Sequence, residues 1–318
     1  MSNPLSDEES VWLPVPEYPP NAFVGTARYY TQHRPPYLKN LRDDLCTRAR
    51  ITTSGRLLDL GCGPGRAAIA LAPSFSEVWA IDLEPEMIEV GREEAKRQGV
   101  ANIRWLTERA EDLEAPSESF ELITIGEAFH RLDQRLITQR AMTWLSPSGC
   151  LATMGGYDVF KGEAMWQKLG AEVKARWASK RNLDRARSPD QPDLPRGPLH
   201  TPAVLQAAGF VDIENYEFKH PFIWTLDAII GNIYSGSAWS QRVLDNQAEP
   251  FEADLRRTLL KYNPQGQYPT TLSFGYTSAR RPKYAGRLLF VFAIRHQISH
   301  SSVDVVPPRR WETHPGHR

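Results

Sequence analysis

Arg56-Leu-Leu-Asp-Leu-Gly-Cys-Gly-Pro-Gly-Arg66 decides the fold. An apolar run closes on an acid, and glycines then stand at 61, 63 and 65. This reads as a buried strand, a tight turn and the start of a helix. One crossover further on, Val78-Trp-Ala-Ile-Asp82 is a second apolar run ending in an acid. Together the two describe a nucleoside-binding crevice at the carboxyl edge of a parallel sheet.

The spacing of the glycines narrows the nucleoside. A dinucleotide fingerprint needs a third glycine where Arg66 stands, so that the helix can pack close to the strand. No Lys followed by Ser or Thr is present, which excludes a phosphate-cradling P-loop. Asp59 precedes the turn; its charge repels a pyrophosphate and favours a cationic ligand, such as one bearing an α-amino group. Asp82 is placed to accept both hydroxyls of a ribose. Its rival role is to cap the helix that follows, since Asp is a good N-cap.

Outward from this centre, strand signals fall at 56–60, 78–82, 102–106, 120–125 and 149–154, with helices expected at 65–73, 85–98 and 133–145. The rhythm means right-handed crossovers and a doubly wound, mostly parallel α/β sheet. A helix is expected from Pro35 to Leu45, with Leu38, Leu41 and Leu45 on one face. After 155 the rhythm changes. Residues 161–178 read as a helix, 180–200 as an exposed loop, and 201–209 as a short helix closed by Gly209. Strands are expected at 210–218 and 286–294, the second central because it is nearly continuous in apolar residues. Between them, 220–285 reads as an insertion over the active edge, with helices at 226–234 and 250–262. The organisation expected is a flexible arm at 1–20, a binding core at 21–155, completion of the sheet with a substrate cap at 156–299, and a disordered tail at 300–318.

Composition bounds the partners. The 318 residues hold 38 basic and 38 acidic side chains, so no basic face for nucleic acid is expected. No apolar run approaches a membrane span. Three cysteines without a C-x-x-C pair argue against a disulfide framework or a zinc site. The first ten residues lack the apolar core of a signal peptide. The expectation is a cytoplasmic protein with a small-molecule partner, no nucleic acid, no membrane and no metal; a homodimer stays open.

Leu57–Arg66 and Ala80-Ile-Asp82 resemble the class I S-adenosylmethionine-dependent methyltransferases. The likeness continues through Ala110-Glu-Asp-Leu113, Ser119-Phe-Glu-Leu-Ile-Thr124 and Leu145-Ser-Pro-Ser-Gly-Cys-Leu-Ala152. The resemblance implies the seven-stranded Rossmann-like methyltransferase fold, with helical insertions near the C-terminal strands, and S-adenosylmethionine as cofactor. It implies that backbone at Gly61, Cys62 and Gly63 approaches the methionine portion, that Asp82 holds the ribose, and that Leu83 and Met87 lie against the adenine. Ala110 and Glu111 are implied at the adenine's amino edge, and Gly126 and Glu127 on the sulfonium side. Glu108-Arg109 replace the Gly-Asp common in relatives, so the usual aspartate contact is missing and Arg109 needs another role.

Two further segments resemble a small-molecule branch (methyltransferase types 11 and 25). Thr26-Ala-Arg-Tyr-Tyr-Thr-Gln-His-Arg-Pro-Pro-Tyr37 matches its Y-x-x-x-R-P-x-Y lead-in, which folds over the cofactor; Tyr30 and Arg34 are the matching residues. Glu127-Ala-Phe-His-Arg-Leu-Asp133 resembles its A-F-H-W-[FM]-D segment, with Arg131 in place of Trp. His130 stands just past the fourth strand and titrates near neutrality, so it is the candidate general base or orienting group; His33 and His220 are weaker candidates. Aromatic residues across 155–285, among them Tyr157, Phe160, Trp166, Phe222, Trp224, Tyr234, Trp239, Phe274 and Tyr276, are expected to divide between the cap's own core and an acceptor pocket. Ser235–Trp239 is the expected polar wall. The expected reaction is methylation, at O or N, of a natural product or of a carboxylic or phenolic metabolite. Elimination or pericyclic chemistry on the same fold, and a non-enzymatic cofactor-binding module, are the alternatives.

Overall fold

A computed structural model describes residues 11–12, 21–180 and 200–283. The chain divides into two units, Met1–Pro282 and Lys283–Arg318, and the architecture below is that of the first. The expected arm, exposed loop, tail and strand at 286–294 fall wholly or almost wholly outside the described residues.

Two helices lead in, α1 (Ala27–His33) and α2 (Lys39–Ala49). The crossovers follow as β1 (Arg56–Leu60), α3 (Arg66–Leu71), β2 (Glu77–Asp82), α4 (Pro85–Arg97), β3 (Ile103–Thr107), β4 (Phe120–Gly126), α5 (Gln134–Trp144) and β5 (Leu145–Gly155). Then come α6 (Met165–Lys180), α7 (His200–Ala207), β6 (Val211–Thr225), α8 (Leu226–Tyr234), α9 (Gln241–Leu244), α10 (Ala248–Tyr262) and β7 (Gln267–Arg280). The sheet has seven strands in the order β3-β2-β1-β4-β5-β7-β6. The pairs from β3 through β5 are parallel, and β7 runs antiparallel to both β5 and β6.

Alternation along each central strand builds two cores. Leu57, Val78, Ala80 and Leu122 point into one apolar cluster; Leu58, Trp79, Ile81 and Ile123 point into the other. Both faces are thus covered, which is why these strands read as continuous apolar runs.

One expectation is corrected. The neighbour of β5 is β7 at 267–280, a stretch the sequence reading left inside the insertion. As far as Tyr276 its buried residues, Tyr268, Leu272, Phe274 and Tyr276, fall at even positions, but proline, threonines and serine stand between them and mute the pattern. Likewise β6 continues well past 218, to Thr225.

The α6–α10 and α8 layers lie against one face of this hairpin. Trp166 donates from its indole to Pro269 O at 3.1 Å and meets the Tyr268 ring at 5.5 Å. Trp177 and Arg176 of α6 both reach the Asp254 carboxylate on α10, which holds that acid down to about 2, through the indole hydrogen bond first. The lead-in helix α1 docks on α8, with the Tyr29 and Tyr234 rings 5.5 Å apart edge to face. A Cβ at Gly231 would stand 2.1 Å from the His33 ring, so glycine is what lets α1 approach. This docking brings residues 21–37 across the carboxyl edge of the sheet.

Candidate functional site

The glycine turn joins β1 to α3. Gly61, Gly63 and Gly65 have φ of +63°, +54° and +71°, a region closed to most side chains. At Gly61 a Cβ would stand 2.7 Å from Ala128, and at Gly65 it would stand 2.2 Å from the Trp105 ring. Gly63 faces open space apart from Met87 Sδ at 4.0 Å. The turn is held from β2: Cys62 donates to Ile81 O at 2.9 Å, and Gly63 donates to Asp82 Oδ2 at 2.8 Å.

Asp82 ends β2. Its other oxygen accepts the Glu84 N–H at 3.0 Å, so it braces the start of α4 as well as the glycine turn. The N-cap of α4 is Glu84 rather than Asp82, and each Asp82 oxygen holds one backbone N–H with capacity left to accept another. Burial raises the Asp82 pKa; the Glu84 and Gly63 N–H groups and Arg131 oppose the rise. Beside it Leu83 is 49% exposed, while Met87 is buried. A planar apolar group set against Leu83 would cover it.

Asp59 is turned inward. It is 1% exposed, accepts Ala68 N–H at 3.1 Å and Thr124 Oγ1–H at 2.7 Å, and so ties β1 to α3 and β4. Desolvation pushes it up to about 7. Its carboxylate thus acts on the frame of the turn rather than facing the open side of the crevice. Ala110 is buried. Glu111 accepts Asp133 N–H at 3.1 Å and faces Arg109 at 3.7 Å. Arg109 also faces Asp112 at 3.7 Å, which supplies the role its position lacked.

The 21–37 segment forms a strap over this edge. Phe23 N–H reaches Glu84 Oε1 at 3.4 Å and Gly25 N–H reaches Glu86 Oε2 at 2.6 Å, anchoring one end to α4. Arg34 lies over the Tyr30 ring at 4.0 Å and donates to Ser235 Oγ at 2.9 Å, anchoring the other end to the α8 terminus. Arg66 donates to the carbonyls of Pro35 and Arg34. Arg131 stacks on Phe23 at 4.2 Å and donates to Ser237 Oγ at 3.1 Å. So Ser235 and Ser237 do make polar contacts, Ser235 to the strap and Ser237 to Arg131 beyond β4.

A cavity of about 980 Å³ opens beyond the ends of β4 and β5. It is lined by Glu127, His130, Tyr157, Asp158 and Trp224, among others. Of the nine aromatics named from sequence, Tyr157, Trp224 and Tyr276 line it; Phe160, Trp166, Tyr234 and Phe274 are buried in the core. Neither His33, packed on Gly231, nor His220, on β6, is among its lining residues. Glu127 lines it in a left-handed conformation, φ +56°, with its N–H fixed to Met154 O at 2.8 Å. Backbone strain of this kind concentrates at functional sites. Gly126 beside it has no room for a side chain, since a Cβ would stand 2.7 Å from the Tyr37 hydroxyl. Asn232 carried no signal in the sequence, because its contact is to Tyr157, a residue distant in the chain.

Residues 57–149 match a family model described as a methyltransferase domain. The chain is 40% identical over 75 residues to the uncharacterized methyltransferase YcgJ of Bacillus subtilis, covering 24% of this chain and 30% of that protein. It is 29% identical over 119 residues to a demethylmenaquinone methyltransferase of Geobacillus kaustophilus, covering 35% and 51%. The chain thus spans 30% and 51% of the length of these relatives. Among solved structures, a candidate type II methyltransferase from Anaeromyxobacter dehalogenans superposes with a TM-score of 0.56 at 18% identity, covering 79% of this chain and 99% of that one, a likeness of fold. With the strand order, the glycine turn and the Asp82 brace in place, residues 57–149 are similar to a class I S-adenosylmethionine-dependent methyltransferase domain, and the sheet has the Rossmann-like methyltransferase fold.

Proposed function

We propose that this protein transfers a methyl group from S-adenosylmethionine to a small-molecule acceptor bound in the cavity beside Glu127 and His130. The observation that carries the reading is the Asp82–Gly63 bond beneath an open glycine turn, with Leu83 exposed at its side. The residues present fit the cofactor. Asp82 keeps lone pairs for two ribose hydroxyls, Leu83 and Met87 offer an apolar face for adenine beside Ala110 and Glu111, and the backbone at Gly61–Gly63 leaves room for the methionine portion. Tyr30 and Arg34 cover that portion from the strap, and Gly126 and Glu127 border the sulfonium side. Asp59 supports the turn from within.

The cofactor supplies a methyl carbon on a positively charged sulfur. An acceptor lone pair would take that carbon, and the sulfur would keep the electron pair of the bond it gives up. The leaving group is already good, so much of the rate comes from holding the acceptor in line, up to roughly 7–11 kcal/mol in ideal cases. His130 orients the acceptor and receives its proton, a role worth about 10²–10⁴-fold.

The relative from Geobacillus kaustophilus is named for a quinone precursor, which supports a small-molecule acceptor here. The test is calorimetry with S-adenosylhomocysteine, then incubation with methyl-labelled cofactor and a panel of phenolic, carboxylic and amine acceptors. Binding with label in an acceptor is the expected result. No affinity for S-adenosylhomocysteine would refute the proposal, and binding with acceptor turnover but no label in product would point to a non-methylating reaction.

A further inference from the structure

The crevice is bridged above the glycine turn. In the sheet, β1 lies between β2 and β4. Phe23 is held where β2 gives way to α4. Its N–H reaches Glu84 Oε1 at 3.4 Å, the Glu84 N–H is bonded to Asp82 Oδ1 at 3.0 Å, and its side chain packs against Ala27, Met87 and Val90. Arg131 stands just past the end of β4. Its guanidinium lies 4.2 Å from the centre of the Phe23 ring. A contact that joins the exits of β2 and β4 passes over the exit of β1, and that exit is the turn at Gly61–Gly65. Neighbouring strands lie about 4.8 Å apart, so the bridge crosses roughly 10 Å.

Arg131 is fastened on its other side as well. It donates to Ser237 Oγ at 3.1 Å, and Ser237 stands two residues past Ser235, which accepts from Arg34. One short turn after α8 thus holds both the Arg131 bridge and the far end of the strap. The charge of Arg131 also reaches Asp82, where it opposes the rise that burial imposes on that acid.

The two parts of the strap are held unequally. Along α1, Ala27 is buried, the His33 ring packs on Gly231, and the Tyr29 and Tyr234 rings meet at 5.5 Å. Residues 21–25 form a turn, with Asn21, Val24 and Gly25 exposed. Besides the Phe23 contacts, this turn is tied by Gly25 N–H to Glu86 at 2.6 Å and by Arg242 to the Asn21 carbonyl at 2.8 Å, both exposed bonds. Gly25 stands where the turn meets α1. Its φ is +79°, and nothing lies within 4 Å of where a Cβ would be. Its backbone is therefore free to re-orient, and only a few exposed hydrogen bonds and the seat of one half-buried ring have to part for the turn to move.

We propose that Phe23 and Arg131 form a clasp over the cofactor crevice, and that residues 21–25 swing about Gly25 to let S-adenosylmethionine in and S-adenosylhomocysteine out. This rests on the methyltransferase reading above and adds a control of access to it. The contact joins two parts of the protein and needs no ligand, so it opposes entry and exit alike. Breaking it raises both rates together and moves the equilibrium affinity by less than either.

Surface plasmon resonance on the immobilised full chain gives both rates for S-adenosylhomocysteine. Arg131→Leu and Phe23→Leu should each raise association and dissociation by about two- to thirtyfold, the scale of one cation–π contact. The double variant should go no further than the single ones, because all three break one contact. Unchanged rates overturn the clasp, and so do additive effects. Faster dissociation with an equal loss of affinity, or no binding by a variant, also overturns it, since the residue would then be a cofactor contact. Hydrogen exchange on the wild type decides the matter even if a variant fails to fold. Amides at 22–25 should exchange faster than those of α1 and slow when S-adenosylhomocysteine saturates the protein; equal protection in the two segments, or no slowing at 22–25, overturns the proposal. A wild type that does not bind S-adenosylhomocysteine refutes the methyltransferase reading itself, and the clasp with it.

Discussion

Gly63 donates its backbone N–H to Asp82 Oδ2 at 2.8 Å, across 19 residues of chain. One carboxylate thereby fixes the shape of the glycine turn and presents its remaining lone pairs to whatever enters the turn. On the proposed reading one group carries both the structural and the binding role, and Asp82→Ala removes both. S-adenosylhomocysteine should bind roughly ten- to a hundredfold more weakly, from about 1.5–3 kcal/mol for hydrogen bonds to a charged group. Calorimetry on a variant shown to be folded by circular dichroism checks this; unaltered affinity would remove Asp82 from the site.

Asp59 predicts a pH effect with a definite sign. Its folded pKa is raised from 3.8 to about 7 by burial, so between those values the folded state holds a proton that the unfolded state releases. Stability from this group is therefore full below about pH 4, falls as pH rises toward 7, and is flat above. Asp59→Asn keeps an acceptor for Ala68 and a partner for Thr124 without the titration. The melting temperature of the variant relative to wild type should climb from pH 4 to pH 7. A constant difference would show that Asp59 does not titrate in this range.

Gly91 offers a case where helix propensity and packing oppose each other. Alanine in α4 should gain about 1 kcal/mol over glycine by propensity. Yet a Cβ there would stand 2.6 Å from the Trp105 ring and 3.2 Å from the Pro64 carbonyl carbon. Overpacking costs typically about 1–3 kcal/mol, so Gly91→Ala should destabilise on balance. Chemical denaturation measures it, and Trp105→Leu in the same chain should restore part of the loss.

Arg66 ties the strap to α3 through the Pro35 and Arg34 carbonyls, and its guanidinium lies 5.3 Å from the Tyr37 ring. A lysine offers neither the fork nor the flat face. Arg66→Lys should speed amide hydrogen exchange across residues 34–38 while exchange in β1 and β4 stays slow. Equal exchange in both proteins would mean the strap is held from α8 alone.

His130→Ala should lower kcat at saturating acceptor by about 10²-fold or more if the imidazole takes the acceptor's proton. Affinity for S-adenosylhomocysteine should change far less. Turnover that stays at the wild-type level would take His130 out of the chemistry.

Much of the frame was legible before any coordinates. The run Arg56–Leu60 forms a strand at the residues read from its apolar pattern, and α8 spans Leu226–Tyr234 as expected. These are segments whose local period agrees with their burial. β7 was missed because a louder apolar run at 286–294 drew the assignment, while its own alternation was interrupted by Pro269 and by threonines. The inward turn of Asp59 was also hidden: an acid at a strand end looks the same in sequence whether it faces a ligand or Thr124.

What the sequence determined by itself is the parallel core, its glycine turn and the paired acids, because each depends on residues within a few positions of one another and on the period of burial. Tertiary structure alone decided which charges are spoken for. Arg34 meets Ser235 across 201 residues and Arg131 meets Ser237 across 106, and no local pattern encodes such pairings. The first follows from how α1 seats on α8, because only that docking brings the end of α1 to the α8 terminus.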